Sequence, residues 1–144
     1  MEKELKELLK SQPLAVLATQ KGDQPYTNLV AFNASEDLKF LFFATIRSTR
    51  KYANISADPK ISMLIDNRSN QISDFRVAMA ATATGEAEEV DLCKEKSLLD
   101  AYLLKHPDLE EFVTSPTCAF LRVRVKTYVL VTGLQDVTEI HMTS

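Results

Sequence analysis

The chain has 144 residues, a formal net charge of −3 at pH 7, and a composition of 45% hydrophobic and 26% charged residues. These values indicate one globular domain over residues 1–144. The acidic balance argues against a general nucleic-acid-binding protein, which needs a basic face. The sequence contains neither the apolar run of a membrane span nor the apolar core of a signal peptide, so we expect a cytoplasmic protein.

The first 45 residues predict a short helix followed by three strands. Leucines at helical spacing indicate an amphipathic helix over residues 2–11, which Pro13 ends. Short polar turns then separate three apolar segments. The predicted strands are Leu14–Thr19, Pro25–Ala34 and Leu38–Thr45. The last two are long and joined by a short turn, so they predict a hairpin.

The rest of the chain predicts more strands, with helices inserted between them. Helices are expected over residues 47–55 and 91–105, before Asp58-Pro59 and His106-Pro107 respectively. The expected strands are Ile61–Asp66, Arg76–Val90 with an interruption at Gly85, Cys118–Thr132 and a tail strand Val137–Ile140. Residues 67–74 are expected to form a polar loop. Closely spaced strands with inserted helices predict a mainly β fold, a closed or nearly closed barrel.

One segment, Thr45-Ile46-Arg47-Ser48-Thr49-Arg50-Lys51, has a charge pattern that points to a ligand. Ser48 is a favourable N-cap, which would place Thr49, Arg50 and Lys51 in the first helical turn. Each cation there costs about 0.3–1 kcal/mol against the helix dipole, so the cluster favours a compensating anion. A phosphate fits, because backbone N–H groups, hydroxyls, arginine and lysine would converge on it. The alternative is a basic helix start whose side chains extend into water.

Five segments follow one another in an order that carries a family resemblance. They are LAVLAT, QPYTNLVAF, LKFLFFAT, RSTRKYANISADPKISMLI and AATATGEAEEV. Together they resemble the pyridoxamine 5'-phosphate oxidase-like FMN-binding proteins, in which a hairpin leads into a helix that begins with S/T-R-K and ends at N-P or D-P. A later strand of that family carries V-x-G-x-A, matched here by Ala83–Ala87. The resemblance covers most of the chain and implies a split β-barrel, an antiparallel barrel of Greek-key type.

The resemblance also implies FMN as the cofactor and names the residues that contact it. Thr49, Arg50 and Lys51 would hold the FMN phosphate, with Arg47 and Ser48 nearby. The implied strand contacts are Ala44 and Thr45 along the ribityl chain and ring, and Asn28, Leu29 and Val30 at the isoalloxazine edge.

In such folds the flavin lies in a groove between two subunits, so the resemblance implies a homodimer. The loop over residues 67–71 would reach the flavin of the partner subunit, through Asn70 and Gln71. The sequence departs from the family's namesake enzyme, because it has no Trp and its tail lacks the basic segment that binds the substrate phosphate. We therefore expect one of the smaller family members without an assigned substrate, not a pyridoxamine 5'-phosphate oxidase.

FMN supplies hydride or single-electron chemistry, which predicts an oxidoreductase acting on a small organic substrate, with NAD(P)H as a candidate reductant. The first alternative is a flavin-binding or redox-sensing protein without turnover. The second is a related barrel that binds a deazaflavin or haem. Haem needs an axial ligand, for which only His106 and His141 offer an imidazole.

The remaining polar clusters do not predict a site. Cys93 and Cys118 lack metal-ligand spacing, so we expect free thiols and no metal. The carboxylates Glu86, Glu88 and Glu89 fit a solvated strand end. The strip Arg122, Arg124 and Lys126 fits a solvated or dimer-facing strand. No residue stands out as a catalytic acid, base or nucleophile.

Overall fold

A computed structural model describes residues 2–143 of the chain. Its helices are α1 (Glu2–Ser11), α2 (Arg50–Ala57), α3 (Asp74–Val77), α4 (Lys96–Lys105) and α5 (Glu110–Val113). Its strands are β1 (Leu14–Lys21), β2 (Gln24–Ala34), β3 (Phe40–Ile46), β4 (Lys60–Asp66), β5 (Met79–Glu89), β6 (Cys118–Thr132) and β7 (Asp136–His141). None of these helices is long and apolar enough to cross a membrane.

Six strands close into an antiparallel barrel. They are arranged in the order β3-β2-β1-β4-β5-β6, and β3 pairs with β6 to complete the circle. The 15-residue strand β6 is long enough for two neighbours on one edge: Cys118–Arg124 pairs with β3, and Thr127–Thr132 pairs with β7. The prediction of a mainly β split barrel is confirmed.

The barrel core follows from alternation along the strands, which turns every second side chain inward. In β1, Ala15, Leu17 and Thr19 are buried while the residues between them are partly exposed. Three leucines of α1 join the same core cluster, as the predicted amphipathic pattern requires. The largest fully buried core side chains include Phe32, Phe43, Met63 and Tyr128.

A second apolar cluster lies on the outer side of β3 and β6, beneath α4 and α5. Phe42 and Phe120 stack with ring centroids 5.8 Å apart, and Tyr102 of α4 meets Phe120 edge-on at 5.3 Å. The Tyr102 hydroxyl donates to the Ala31 carbonyl of β2 at 2.9 Å. The helical region after β5 therefore seals one side of the barrel.

The barrel is split between β2 and β3. Residues 24–31 of β2 pair with β1, but only Phe32–Ala34 pairs with β3. Along most of its length, the β3-side edge of β2 has no strand partner. This opening lies beside the end of β3, from which the chain turns into α2.

The structure corrects several predicted details. Helix α2 spans Arg50–Ala57, not residues 47–55, because Thr49 is its N-cap. Strand β5 begins at Met79, because residues 74–77 form α3 instead of loop and strand. Helix α4 begins at Lys96, since the Asp91 carboxylate accepts the Cys93 N–H at 3.0 Å and holds a turn there. Gly85 does not interrupt β5 but marks a register shift against β6. A Cβ at that position would lie 2.1 Å from the Arg124 carbonyl oxygen.

Candidate functional site

The start of α2 is organised by Thr49, not by Ser48 as predicted. Thr49 has an extended backbone (φ −81°, ψ 157°), and its side-chain oxygen accepts the Tyr52 N–H at 3.4 Å. The same oxygen lies 2.8 Å from the Ile46 carbonyl and 2.8 Å from the Thr45 hydroxyl. Because Thr49 reaches back to the end of β3, Ser48 remains exposed in the turn and cannot cap the helix. Two cations, Arg50 and Lys51, lie in the first turn of the helix.

Arg47 is committed to protein partners. Its guanidinium lies 2.6 Å from a Glu89 carboxylate oxygen and donates to the Pro116 carbonyl at 2.9 Å. The other Glu89 oxygen accepts the Tyr52 hydroxyl at 2.7 Å. We call Arg47, Tyr52 and Glu89 the anchor, since it ties the turn before α2 and the helix itself to the end of β5.

The anchor also sets the ionisation of Glu89. Burial opposes the charge on this carboxylate, but the hydrogen bonds from Tyr52 and Arg47 outweigh it, and the pKa of Glu89 is lowered. Bonding to Glu89 in turn raises the pKa of the Tyr52 phenol. Glu89 lies at an exposed strand end, as predicted, but it also pairs with Arg47 and Tyr52, because closure of the barrel brings β5 to the α2 start.

Arg50 and Lys51 differ from Arg47 because no carboxylate pairs with them within residues 2–143. The Arg50 guanidinium lies 5.1 Å from the ring centroid of Tyr26 in β2, so it reaches across the split. Lys51 is half-buried, and burial lowers its pKa. The structure also gives the backbone N–H groups of both residues no acceptor in the described part of the chain, as expected at a helix start. A cavity of about 300 Å³ lies between Arg50 and Tyr26.

Of the three predicted flavin contacts on β2, two are accessible. Asn28 is half-buried, and its side-chain oxygen is buried without a hydrogen-bond partner, the one such atom found in residues 2–143. Leu29 exposes 64% of its surface on the outer face of the barrel. Val30 points into the core at 6% exposure. A buried acceptor without a donor is uncommon in folded proteins.

Ala44 and Thr45, at the end of β3, point in opposite directions. Ala44 is buried in the outer cluster beneath α4. Thr45 is also buried, and its hydroxyl contacts Thr49. Of the two, only Thr45 lies with the side chains at the start of α2.

The loop before α3 is organised by Asp74, which accepts the backbone N–H groups of Ser69, Asn70 and Gln71 at 2.9, 2.7 and 3.3 Å. These hydrogen bonds, that from Ser69 first, lower the pKa of Asp74. Asn70 adopts a positive φ of 64° and lines an outer-face cavity of about 250 Å³ together with Leu29. The structure therefore places Asn70 near Leu29 of the same chain, whereas Gln71 is exposed outside this cavity.

A comparison with known protein families identifies the family of this chain. A sequence model described as pyridoxamine 5'-phosphate oxidase matches residues 1–131. The chain belongs to this family. Among curated protein sequences, none matches it.

Solved structures with the same fold extend beyond the oxidases. A heme binding protein from Mycobacterium smegmatis superposes with a TM-score of 0.84 at 16% identity, over 96% of this chain and 56% of that one. A FAD-binding protein from Mesorhizobium loti gives 0.72 at 19% identity, over 90% and 93% of the two chains. General Stress Protein 26 from Bacillus anthracis gives 0.72 at 18%, over 99% and 100%. At these identities, the likeness shows the fold alone.

Within this pyridoxamine 5'-phosphate oxidase family member, the residues missed from the sequence are Tyr26, Tyr52 and Glu89. Tyr52 and Glu89 lie 37 positions apart, and only the closed barrel brings them together. Tyr26 lies 24 positions before Arg50 and meets it across the split. The residues 2–143 contain no group of three or more side chains suited to hold a metal. Cys93 and Cys118 are free, as expected.

Proposed function

We propose that this family member binds FMN and uses it as an oxidoreductase acting on a small organic substrate. The observation that carries the proposal is the pair Arg50 and Lys51, two cations at a helix start that the described chain leaves without an anion. An FMN phosphate supplies the missing anion. Arg47 is not counted among the phosphate contacts, because its guanidinium already pairs with the Glu89 carboxylate.

The phosphate end of the proposed site fits the residues present. The free N–H groups of Arg50 and Lys51 point out of the helix start and favour an anion through the helix dipole. The guanidinium offers paired donors and the ammonium a compact charge. Thr49 uses its hydroxyl as the cap, so we assign it the role of shaping the turn rather than that of a strong phosphate donor.

The ring end fits as well. Asn28 is half-buried on β2, and rotation of its side-chain amide would offer an isoalloxazine ring either an acceptor or a donor. The open edge of β2 adds backbone groups on the same side of the split. Leu29 points to the outer face, opposite Asn28, so its contact with the ring would be through backbone groups. The side chains of Val30 and Ala44 are buried in the core and the outer cluster, so these two residues would meet the ring through backbone groups. Ser48 stays exposed in the turn beside Thr49, and Gln71 lies outside the cavity that Asn70 lines.

When bound, FMN supplies hydride or single-electron chemistry, with NAD(P)H as the proposed reductant. The chain's own residues would bind the cofactor, orient it and shield it from water. Its side chains at the proposed site are hydroxyls, an amide, cations and apolar groups. The Glu89 carboxylate already accepts hydrogen bonds from Arg47 and Tyr52.

An apolar strip on the outer face supports a homodimer. Val16 of β1 lies opposite Leu29 of β2 and Leu64 of β4, so three apolar side chains form a row across the sheet. We call this row the outer strip. It borders the cavity that Asn70 lines. A second copy covering the strip would bury exposed apolar surface and enclose the ring end of the site.

More exposed apolar residues lie around α3 and the turn after β6. They are Ile72, Phe75, Val77, Leu134 and Val137, each exposing 61% or more of its surface. The Gly133 N–H donates to the Ala78 carbonyl at 2.8 Å, which places the two segments side by side. Exposed apolar groups in such number mark an interaction surface. They support the same proposal of a second copy.

The heme binding neighbour makes haem the alternative to test. Both histidines are already engaged: the His106 Nε2 lies 2.7 Å from the Phe32 carbonyl, and His141 contacts Thr127 and Glu139. A flavin needs no such ligand, so the observations favour flavin over haem. Because a FAD-binding protein shares the fold, FAD is included in the same binding test.

The absorption spectrum of the purified protein, before and after addition of FMN, FAD, riboflavin and haemin, tests the cofactor. We expect tightest binding of FMN. Tighter binding of haemin, or no preference of FMN over riboflavin, would contradict the proposal. Oxidation of NADPH or NADH by the FMN-loaded protein with small quinone or nitro acceptors tests turnover, and its absence would favour the redox-sensing alternative. We expect no conversion of pyridoxamine 5'-phosphate.

A further inference from the structure

A separate cavity of about 480 Å³ lies between α1, α4 and the turn that joins β2 to β3. It shares no lining residue with the cavity beside Arg50. Its walls are mainly apolar, with Leu9 from α1, Phe42 from β3, and Leu98, Ala101 and Leu104 from α4. A concave, apolar cavity with a few polar groups is the common form of a small-molecule site.

Lys105 brings a positive charge into this cavity. The residue is half-buried, its ammonium donates to the Leu9 carbonyl at 2.9 Å, and its Nζ lies 4.0 Å from the Phe32 ring centroid. An ammonium has three N–H donors. The structure gives it one acceptor and, within residues 2–143, no carboxylate partner. With one N–H on the Leu9 carbonyl and the Phe32 ring facing the ammonium, donor capacity remains for a ligand.

The other charged groups around the cavity do not neutralise Lys105. Glu36, in the β2–β3 turn, pairs with Lys6 and Lys10 of α1 at 3.1 and 3.9 Å, and its side chain is 81% exposed. His106, next in the chain, holds the Phe32 carbonyl through Nε2. Burial lowers the pKa of Lys105 to about 8, and no acidic group raises it again. The cavity thus contains a charge that the protein itself leaves uncompensated.

We propose that this cavity binds an organic anion with an apolar body, such as a medium-chain carboxylate, whose carboxylate pairs with Lys105. The apolar walls match the body of such a ligand, and Lys105 matches its head. If Lys105 only capped the C-terminal end of α1, one donor would suffice and the cavity would need no ligand. A capping role for Lys105 predicts no binding of an amphipathic anion, whereas the proposed site predicts that such an anion binds. The proposal does not depend on the flavin site.

Octanoate is the probe, titrated calorimetrically into the protein as purified. We expect binding that Lys105→Met weakens about tenfold or more, as loss of a charge-assisted hydrogen bond implies. Lys96→Met, an exposed lysine on the same helix, is the matched control and should change nothing. Octanol, with the same body and no charge, should bind more weakly than octanoate. Absence of octanoate binding, or equal binding by the Lys105→Met variant, would overturn the proposal.

Ala101→Trp keeps the test decisive if the Lys105 variant fails to fold. The indole would occupy the cavity while Lys105 stays in place, so octanoate binding should be lost. Retention of binding in a folded Ala101→Trp protein would place octanoate elsewhere and overturn the proposal.

The pH dependence gives an independent signature. A bound carboxylate favours the charged ammonium, so above about pH 8 binding must take up a proton and affinity must fall as pH rises. Titrations near pH 8.5 in buffers of different ionisation enthalpy should report this uptake. No uptake would mean that octanoate pairs with an ordinary exposed lysine, and Lys105 would be excluded.

Discussion

The turn before α2 and the first turn of α2 carry cations only three positions apart, yet the structure uses them differently. Arg47 is paired with Glu89, bonded to the Pro116 carbonyl and supported by Tyr52. Arg50 and Lys51 have no such partner in the described chain. The first region fixes the position of the helix start, and the second leaves charge for a ligand. A basic run in a sequence can therefore contain both cations paired within the protein and cations left without a partner in the described chain.

The largest expected effect comes from removing the two unpaired cations. In Arg50→Ala/Lys51→Ala, FMN affinity should fall by about two to four orders of magnitude, because two charge-assisted contacts are lost. Riboflavin affinity should change far less. Flavin-free stability should hold or rise, since two cations leave a helix N-terminus. Fluorescence titration of both ligands measures this.

A double variant at Lys94 and Lys96 is the matched control, because both side chains are exposed and lie outside the proposed site. It removes the same charge and should bind FMN as the wild type does. Equal loss of FMN and riboflavin in the Arg50/Lys51 variant would mean that the phosphate binds elsewhere.

The next largest effect concerns the outer strip. Leu64→Asp places a charge beside Val16 in the proposed dimer contact, and the dimer dissociation constant should rise by about two orders of magnitude. Ser62→Asp, two residues along the same face of β4, is the control and should remain dimeric. Light scattering at micromolar concentration distinguishes them. A wild-type monomer that still holds FMN would contradict the dimer proposal.

Breaking the anchor should have a smaller effect on the ligand. Glu89→Ala leaves Arg47 and Tyr52 without their shared partner, so we expect about a tenfold loss of FMN affinity and roughly 1 kcal/mol of stability. Glu88→Ala removes a neighbouring carboxylate that pairs with Arg122 instead, and FMN binding should be unchanged. Identical FMN affinities in the two variants would show that the anchor does not position the site.

The anchor also predicts a pH effect. The pKa of Glu89 is lower in the folded chain than its ordinary value of 4.5, so its contribution is present above that pH and is lost as pH falls through the folded pKa. Acid unfolding followed by circular dichroism should therefore show a smaller acid-dependent loss for Glu89→Ala than for the wild type. Parallel curves for the two proteins would argue against the anchor.

The smallest effect is expected at the cap. Thr49→Ala should cost about 1 kcal/mol of stability, because the Tyr52 N–H loses its acceptor. Thr49→Ser keeps the hydroxyl and should lose much less, and Ser48→Ala should be neutral. Thermal unfolding measures all three. A larger loss in Ser48→Ala than in Thr49→Ala would contradict the cap assignment.

Much of the fold was predictable because local patterns agree with it. The leucines of α1 and every second side chain of β1 point into the core, as their spacing in the sequence requires. The start of β5 was not predictable, since Arg76 and Val77 favour a strand locally but belong to α3. Helix α4 was predicted too long for a similar reason, because a side-chain turn at Asp91 competes with helix.

The candidate site was predictable to the level of a segment. The S/T-R-K motif identifies Arg50 and Lys51, because charge at a helix start is a local signal. The sequence could not show that Arg47 is paired while Arg50 is not, because the partner Glu89 lies 42 positions from Arg47. The unpaired oxygen of Asn28 depends on which neighbours pack around it, and no local pattern encodes that.

In the proposed complex, the FMN phosphate lies between Arg50 and Lys51 at the start of α2. Phosphorus NMR of the FMN-loaded protein tests it most directly. A phosphate held by two cations should stay fully ionised, so its resonance should not move across pH values around 6, the region where a free phosphate monoester titrates. A bound FMN whose phosphorus resonance titrates near pH 6, as free FMN does, would contradict the account.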